Sequence, residues 1–142
     1  MFKLSSIPLE ELNLKSTMLT SEAGAFASFE GWVRDQSDGR KVVSLDYEAF
    51  DNMAGKEAEK ILQEAKLMFN VINVQCAHRV GKLSIGDMAV WVGVTAAHRD
   101  SAFSACRYVI DELKKRVPIW KKEYYQDGES AWIGVKNYAE QR

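Results

Sequence analysis

The sequence of 142 residues has little cysteine, little proline and no long apolar run. Its two cysteines, Cys76 and Cys106, are far apart and form neither a C-x-x-C motif nor a Cys/His spacing typical of zinc sites. These absences argue against a disulfide-stapled domain or a metal site, and they favour a reducing, cytoplasmic setting. The N-terminus lacks the apolar run of a signal peptide, and no stretch approaches the roughly 18 apolar residues of a membrane span.

Net charge is also low, at −1, while 46% of the residues are hydrophobic and 27% are charged. This composition predicts one globular domain over residues 1–142. Positive charge is nevertheless concentrated in residues 113–123, which read LKKRVPIWKKE. A basic cluster in a nearly neutral protein indicates a local site for an anion. The alternative is a solvated helix end, where the macrodipole favours cations.

Hydrophobic periodicity predicts an α+β domain, with helices packed against a mainly antiparallel sheet. A short strand is predicted over residues 2–7, followed by a helix that starts at Pro8. A helix capped by Asn52 is predicted over 52–69, and a second helix ends where Pro118 forbids its continuation. The remaining predicted strands cover residues 24–34, 42–50, 71–80, 88–95, 119–125 and 131–135.

Cations lie where several predicted elements end. Arg34 closes the first long strand, and His98 and Arg99 stand at a junction between a strand and a helix. A helix N-terminus offers unbonded N–H groups beside a guanidinium, which suits a phosphate, although a structural role for His98 is the alternative. The pair at 78–79 lies within a strand and is interpreted as structural.

Lys114 and Lys121 flank the proline break, so one belongs to the last helical turn and the other to the outgoing strand. Both could face one cleft, where mutual repulsion and partial desolvation would make either lysine a competent acid or base. Trp120 alternates to the opposite side of the strand from Lys121. It is interpreted as an anchor in the core, with a stacking platform for a planar ring as the alternative.

Three motifs follow one another along the chain: GWVR at 31–34, VGVTAAHR at 92–99, and Lys114 followed by PIWKKE at 118–123. Together they resemble the family of the large, catalytic subunit of molybdopterin synthase, over roughly residues 21–134. The resemblance implies an α/β hammerhead-type fold and a cytoplasmic homodimer. Each end of that dimer would bind a small ubiquitin-like sulfur-carrier subunit, which makes a heterotetramer.

The resemblance also implies a sulfurtransferase of molybdenum cofactor biosynthesis. Sulfur would pass from the C-terminal Gly-Gly thiocarboxylate of the carrier to cyclic pyranopterin monophosphate, forming the molybdopterin dithiolene. By motif, the catalytic residues are Lys114 and Lys121, and the substrate-binding residues are Arg34, His98, Arg99 and Lys136. No cofactor, metal, nucleic acid or membrane is implied. Because the sulfur arrives on the partner, the chain needs no reactive thiol, and both cysteines are predicted to be buried.

A different class of function also fits the basic run. Residues 114–122 could serve a non-enzymatic nucleic-acid-binding module, whose affinity would fall steeply with salt. Net charge near zero and the absence of an exposed aromatic stripe argue against this alternative.

Overall fold

The computed structural model describes residues 1–134. No helix in this part of the chain is long and apolar enough to cross a membrane. The elements in chain order are β1 (Phe2–Ser5), two 3-10 helices (Leu9–Leu12 and Leu14–Met18), β2 (Ala25–Trp32), β3 (Gln36–Ser37), β4 (Arg40–Ala49), α1 (Asp51–Phe69), β5 (Asn73–Arg79), β6 (Gly81–Ser84), β7 (Met88–Ala96), α2 (Arg99–Arg116), β8 (Ile119–Tyr125) and β9 (Ser130–Ile133).

The strands form two sheets. The first has the order β1-β5-β7-β2, in which β1 and β5 are parallel and the other pairs are antiparallel. The second has the order β3-β4-β8-β9 with β6 beside β4, and all its pairs are antiparallel. The predicted α+β class with mainly antiparallel strands is therefore confirmed. Strand β6 lies where the glycines at 81 and 86 predict only a turn.

The helices α1 and α2 pack against one face of the first sheet. The apolar spacing predicted for α1 is confirmed, because its buried residues recur every three or four positions. The predicted cap is wrong: α1 begins at Asp51 after an extended Phe50, so Asn52 lies inside the first turn. The buried residues of α1 are Ala54, Ala58, Ile61, Leu62 and Ala65.

The opposite face of the first sheet is covered by the two 3-10 helices. The sequence predicts one helix here, but Asn13 adopts a left-handed conformation with φ of 52° and divides it. Because both faces of the sheet are covered, every residue of β7 is buried, as its apolar sequence predicts. The cluster on this face contains Leu9, Leu14, Met18, Ala77, Met88 and Trp91.

Arg116 ties α2 to α1. Its guanidinium donates to Glu57 at 2.8 Å, to the two carboxylate oxygens of Glu64 at 2.7 and 3.0 Å, and to Glu112 at 3.3 Å. The Tyr108 hydroxyl donates to Glu64 at 2.6 Å. The hydrogen bonds from Arg116 and Tyr108 lower the pKa of Glu64 to about 2. Arg116 belongs to the basic run of residues 113–123, and the structure shows it as a link between α2 and α1.

The chain turns sharply between α2 and β8. Val117 is extended, with φ of −85° and ψ of 127°, and its N–H donates to the Leu113 carbonyl at 3.1 Å. Pro118 has no N–H to continue the helix, so α2 ends at Arg116 as predicted. The turn leaves Lys114 in the last turn of α2 and Lys121 near the start of β8.

Candidate active site

A pocket of about 340 Å³ lies between the C-terminal end of α2, parts of β2, β5 and β7, and the start of β8. Apolar and aromatic side chains make up much of its wall, which suits a planar organic ligand. The lining residues that bear on its chemistry are Phe29, Trp32, Tyr47, His78, Lys114, Trp120 and Lys121.

Lys114 and Lys121 reach this pocket from the two sides of the proline break, so the prediction that both face one cleft is confirmed. The side chain of Lys121 is 32% exposed, and its Nζ lies 3.4 Å from Oε2 of Glu123. Lys114 is exposed and makes no hydrogen bond or ion pair with another residue in 1–134. Lys121 is therefore held in place, whereas Lys114 is available to a ligand.

Glu123 is a buried carboxylate beside Lys121. Residues 121, 123 and 125 point to the same face of β8, because side chains alternate along a strand. The Glu123 side chain is 3% exposed, and its Oε1 accepts a hydrogen bond from the Tyr125 hydroxyl at 2.9 Å. A buried carboxylate needs such partners, and Tyr125 and Lys121 supply them. Glu123 thereby holds the Lys121 ammonium at the pocket wall.

His78 forms a buried part of the pocket lining. Its Nδ1 lies 2.7 Å from the carbonyl oxygen of Arg79. A carbonyl only accepts hydrogen bonds, so Nδ1 carries the hydrogen and Nε2 keeps its lone pair in the neutral ring. Burial lowers the pKa of His78 to about 4; the Arg79 carbonyl opposes this shift and the Lys114 charge adds to it. The sequence interpretation of His78 as only structural therefore misses its place at the pocket.

Two further aromatic residues shape the pocket. The ring of Tyr47 meets the His78 ring edge to face, with 4.8 Å between centroids. Burial, with a contribution from the Glu123 charge, raises the pKa of Tyr47 to about 12, so its hydroxyl stays protonated. Trp120 is half-buried and packs edge to face on Phe50, with 4.9 Å between centroids. It lines the pocket instead of anchoring the segment in the core.

The other candidate cations are not gathered around the two lysines within one protomer. His98 caps α2 and Arg99 is its first residue, whereas Lys114 lies fifteen positions further along that helix. At a rise of 1.5 Å per residue, Arg99 and Lys114 are about 22 Å apart. Arg34 is exposed and follows Trp32, which lines the pocket, by two positions, but it is not itself part of the lining. Lys136 lies outside the described residues.

Neither cysteine contributes to the pocket, and the predicted burial of both is confirmed. Burial raises the pKa of the Cys106 thiol to about 11 and that of the Cys76 thiol well above its usual range. Both thiols are therefore protonated at neutral pH. Within residues 1–134, no group of three or more His, Cys, Asp or Glu side chains is placed to hold a metal ion.

The sequence carries a periodic signal for both His78 and Glu123. His78 has the same strand parity as Val74 and Cys76, both of which are buried in the core. Glu123 follows Lys121 by two positions on a strand, which places both side chains on one face. These periodicities indicate a shared face, but a pocket at that face depends on how α2 packs.

The fold and the pocket define an α+β protein whose pocket presents two lysines and a neutral histidine, with the buried carboxylate of Glu123 holding one of the lysines. The chain belongs to the MoaE protein family, whose model matches residues 5–116. The resemblance indicated by the three sequence motifs is thus confirmed.

Known proteins of similar sequence and structure agree with this assignment. The chain is 40% identical over 124 residues to a molybdopterin synthase catalytic subunit from Thermoplasma volcanium, covering 87% of this chain and 90% of that protein. It is 38% identical over 133 residues to the one from Bacillus subtilis, covering 94% and 84%. A solved molybdopterin synthase from Staphylococcus aureus has a TM-score of 0.83 at 34% identity, over 94% of this chain and 95% of that one.

A structure from Helicobacter pylori shares the fold, with a TM-score of 0.74 at 22% identity, over 95% of this chain and 90% of that one. It is described as a complex of subunits 1 and 2 of molybdopterin-converting factor.

Proposed function

We propose that this chain is the catalytic subunit of a molybdopterin synthase, acting in the cytoplasm as one domain over residues 1–142. It transfers sulfur from the C-terminal thiocarboxylate of a small ubiquitin-like carrier to cyclic pyranopterin monophosphate. The observation that carries this proposal is that Lys114 and Lys121, the two lysines of the family motif, line one pocket. The two buried, protonated thiols are compatible with sulfur that arrives on a partner.

The reaction brings a thiocarboxylate close to a cyclic phosphate, and these two anions repel each other. Lysine ammonium groups at the pocket wall offset the repulsion and orient the reacting atoms. Lys121, held by Glu123, supplies a fixed positive charge. Lys114 binds the thiocarboxylate and moves a proton as the sulfur is transferred. In each transfer a C–S bond to the substrate forms as a C–O bond of the substrate breaks, and water then cleaves the acyl C–S bond to leave a carboxylate on the carrier. Two carriers are consumed for each dithiolene.

The carrier's tail enters as an extended peptide whose backbone hydrogen-bonds along the pocket. Its two final glycines have no side chains, so the tail can share a pocket of about 340 Å³ with part of the substrate. One carrier at each end of a homodimer gives the heterotetramer that the family resemblance implies.

Reconstitution tests the proposed function. The purified chain, a carrier with a C-terminal thiocarboxylate and cyclic pyranopterin monophosphate are expected to yield molybdopterin, with two carriers converted to the carboxylate form per product. The same carrier prepared as a carboxylate is the matched control and should yield none. Fluorescent detection of oxidised molybdopterin, with mass spectrometry of the carrier, measures both quantities. No product from the thiocarboxylate carrier would rule out the proposed function.

We also propose that a second copy of the chain completes the substrate site. His98 and Arg99 form a phosphate-binding corner at the N-terminus of α2, about 22 Å from Lys114 on the same helix. A cyclic pyranopterin is shorter than this separation. A two-fold dimer that places the corner of one protomer at the pocket of its partner would bring the cations together.

Mixed dimers test this arrangement. Lys114→Ala and Arg99→Ala should each be nearly inactive as homodimers. After the two variants are unfolded and refolded together, half of the dimers are mixed and each has one intact site, so activity should return to about one quarter of wild type. Molybdopterin formation by the refolded mixture is the measurement. If both residues act within one protomer, the mixture stays inactive.

The nucleic-acid-binding alternative is not supported by the structure. The basic run does not present one cationic face, because Arg116 is bound by three carboxylates and Lys121 by Glu123. Lys115 pairs with Glu112, and Lys122 lies over the rings of Tyr124 and Trp132.

A further inference from the structure

We propose that Nε2 of His78 accepts a hydrogen bond from an N–H group of the pterin ring and so fixes the orientation of the substrate in the pocket. This inference rests on the proposed function and adds a substrate-binding residue to it. His78 lies outside the three family motifs of the sequence.

The position of His78 is the first support. It lies on β5, with its side chain in the lining of the pocket that also contains Lys114 and Lys121. Two contacts fix the imidazole: Nδ1 bonds to the Arg79 carbonyl at 2.7 Å, and the Tyr47 ring packs against it at 83° between planes. A side chain held in this way is preorganised, and it gives up little conformational freedom when a ligand binds.

The chemistry of the remaining nitrogen is the second support. Because Nδ1–H is bonded to the Arg79 carbonyl, Nε2 is the polar atom that a neutral His78 can offer to the pocket. That atom accepts hydrogen bonds and donates none. Phosphate and thiocarboxylate anions also only accept, so they are disfavoured beside Nε2 and drawn to the lysines. A pterin carries amino and ring N–H donors on its edge, and these satisfy Nε2.

The surrounding charges favour a neutral acceptor. Lys114 and Lys121 face the same pocket, and no hydrogen bond joins either lysine to His78 in the described chain. Glu123 pairs with Lys121 and Tyr125 instead. A pKa of about 4 keeps His78 neutral near neutral pH. The lysines therefore attract anionic groups in the pocket, whereas His78 accepts from a hydrogen-bond donor.

Two amide substitutions, each of which reproduces one of the two ring nitrogens, separate binding through Nε2 from a structural role of Nδ1. His78→Gln places an amide near the position of Nε2, where its oxygen can accept, but it loses the Nδ1–H donor. His78→Asn keeps a donor near Nδ1 and has no acceptor at Nε2. We expect His78→Asn to raise the KM for cyclic pyranopterin monophosphate about tenfold, as for one lost hydrogen bond, with kcat and the carrier KM nearly unchanged. His78→Gln should recover most of this loss.

The opposite order, with His78→Asn near wild type and His78→Gln impaired, would overturn the inference in favour of a structural role. An increase in the carrier KM alone would also overturn it, because the ligand of His78 would then be the carrier's tail. Wild-type enzyme assayed in parallel distinguishes the two proposals: if it makes molybdopterin while both variants match it, only the inference about His78 fails.

A measurement on the unmodified chain removes any dependence on how well the variants fold. The chain has two histidines, His78 and His98, so 15N-histidine labelling gives few imidazole resonances. Comparison with the spectrum of the His98→Gln variant assigns each resonance to its residue. Adding cyclic pyranopterin monophosphate without carrier permits binding but no turnover. The Nε2 resonance of His78 should move upfield, as expected for a lone pair that gains a hydrogen bond. A His78 Nε2 resonance that stays in place at saturating substrate would overturn the inference.

Discussion

Replacing Lys114 with alanine is expected to lower kcat for molybdopterin formation by about 100-fold or more, the scale seen when one preorganised electrostatic group is removed from an active site. Lys114 lines the pocket and has no hydrogen-bond or ion-pair partner in residues 1–134, so its amine is available to the thiocarboxylate. Because its side chain is exposed and ties no elements together, the free energy of unfolding should change little. Steady-state kinetics and urea unfolding measure the two quantities.

Lys115→Ala is the matched control for this prediction. Lys115 is the next residue on the same helical turn, its side chain is 69% exposed, and it pairs with Glu112 outside the pocket. The Lys115→Ala substitution removes the same charge from the same segment as Lys114→Ala, but it does so outside the pocket. Near-normal turnover is therefore expected. If the two variants lose activity equally, the net charge of the basic segment matters and the position of Lys114 in the pocket does not. Near-normal turnover in Lys114→Ala would contradict its catalytic role outright.

Replacing Arg116 with methionine is expected to destabilise the protein by about 2 kcal/mol, between the small value of a surface pair and the larger cost of breaking a buried one. The substitution keeps much of the aliphatic stem but leaves Glu57, Glu64 and Glu112 close together without their shared cation. Urea unfolding near neutral pH measures the change. Arg107→Met, which removes an exposed pair with Asp111, is the control and should lie within about 0.5 kcal/mol of wild type.

The same cluster predicts how the difference depends on pH. Hydrogen bonds from Arg116, with a smaller contribution from Tyr108, lower the pKa of Glu64 to about 2 from its ordinary value of 4.5. A lowered pKa in the folded state stabilises the protein above the ordinary pKa, and this contribution is lost as pH falls toward the folded value. Wild type and Arg116→Met should therefore differ most above about pH 5 and converge toward pH 2. A difference that stays constant over this range would show that Arg116 stabilises the fold through packing instead of charge.

The elements of the fold that depend on local pattern could be predicted from the sequence. The buried spacing of α1, the apolar β7 and the end of α2 before Pro118 all follow from periodicity or from backbone chemistry. Features that depend on contacts between distant parts of the chain could not be predicted from the sequence. The break at Asn13 and the pairing of β6 with β4 have no strong local signal, and the division of the strands into two sheets is set by their packing.

The residues of the candidate site can also be divided into those that the local sequence predicts and those that it does not. Lys114 and Lys121 could be assigned because a proline between them reverses the chain, which is a local effect. His78 enters the pocket because the end of β5 lies near the end of α2 and the start of β8, and the residues of β5 alone do not specify this arrangement. Conversely, the sequence groups Arg99 with Lys114 by motif, and the helix that joins them holds them apart.

The link made by Arg116 has a consequence for the lysine two positions before it. The final turn of a helix tends to fray, because its last carbonyls have no intrahelical partners. Lys114 lies in that turn, and Arg116 fastens the turn to α1 through Glu57 and Glu64. The precision with which Lys114 is presented to the pocket thus depends on carboxylates on another helix. Substitutions at Glu57 or Glu64 are therefore expected to slow the reaction by letting the end of α2 unwind, although neither residue contacts a ligand.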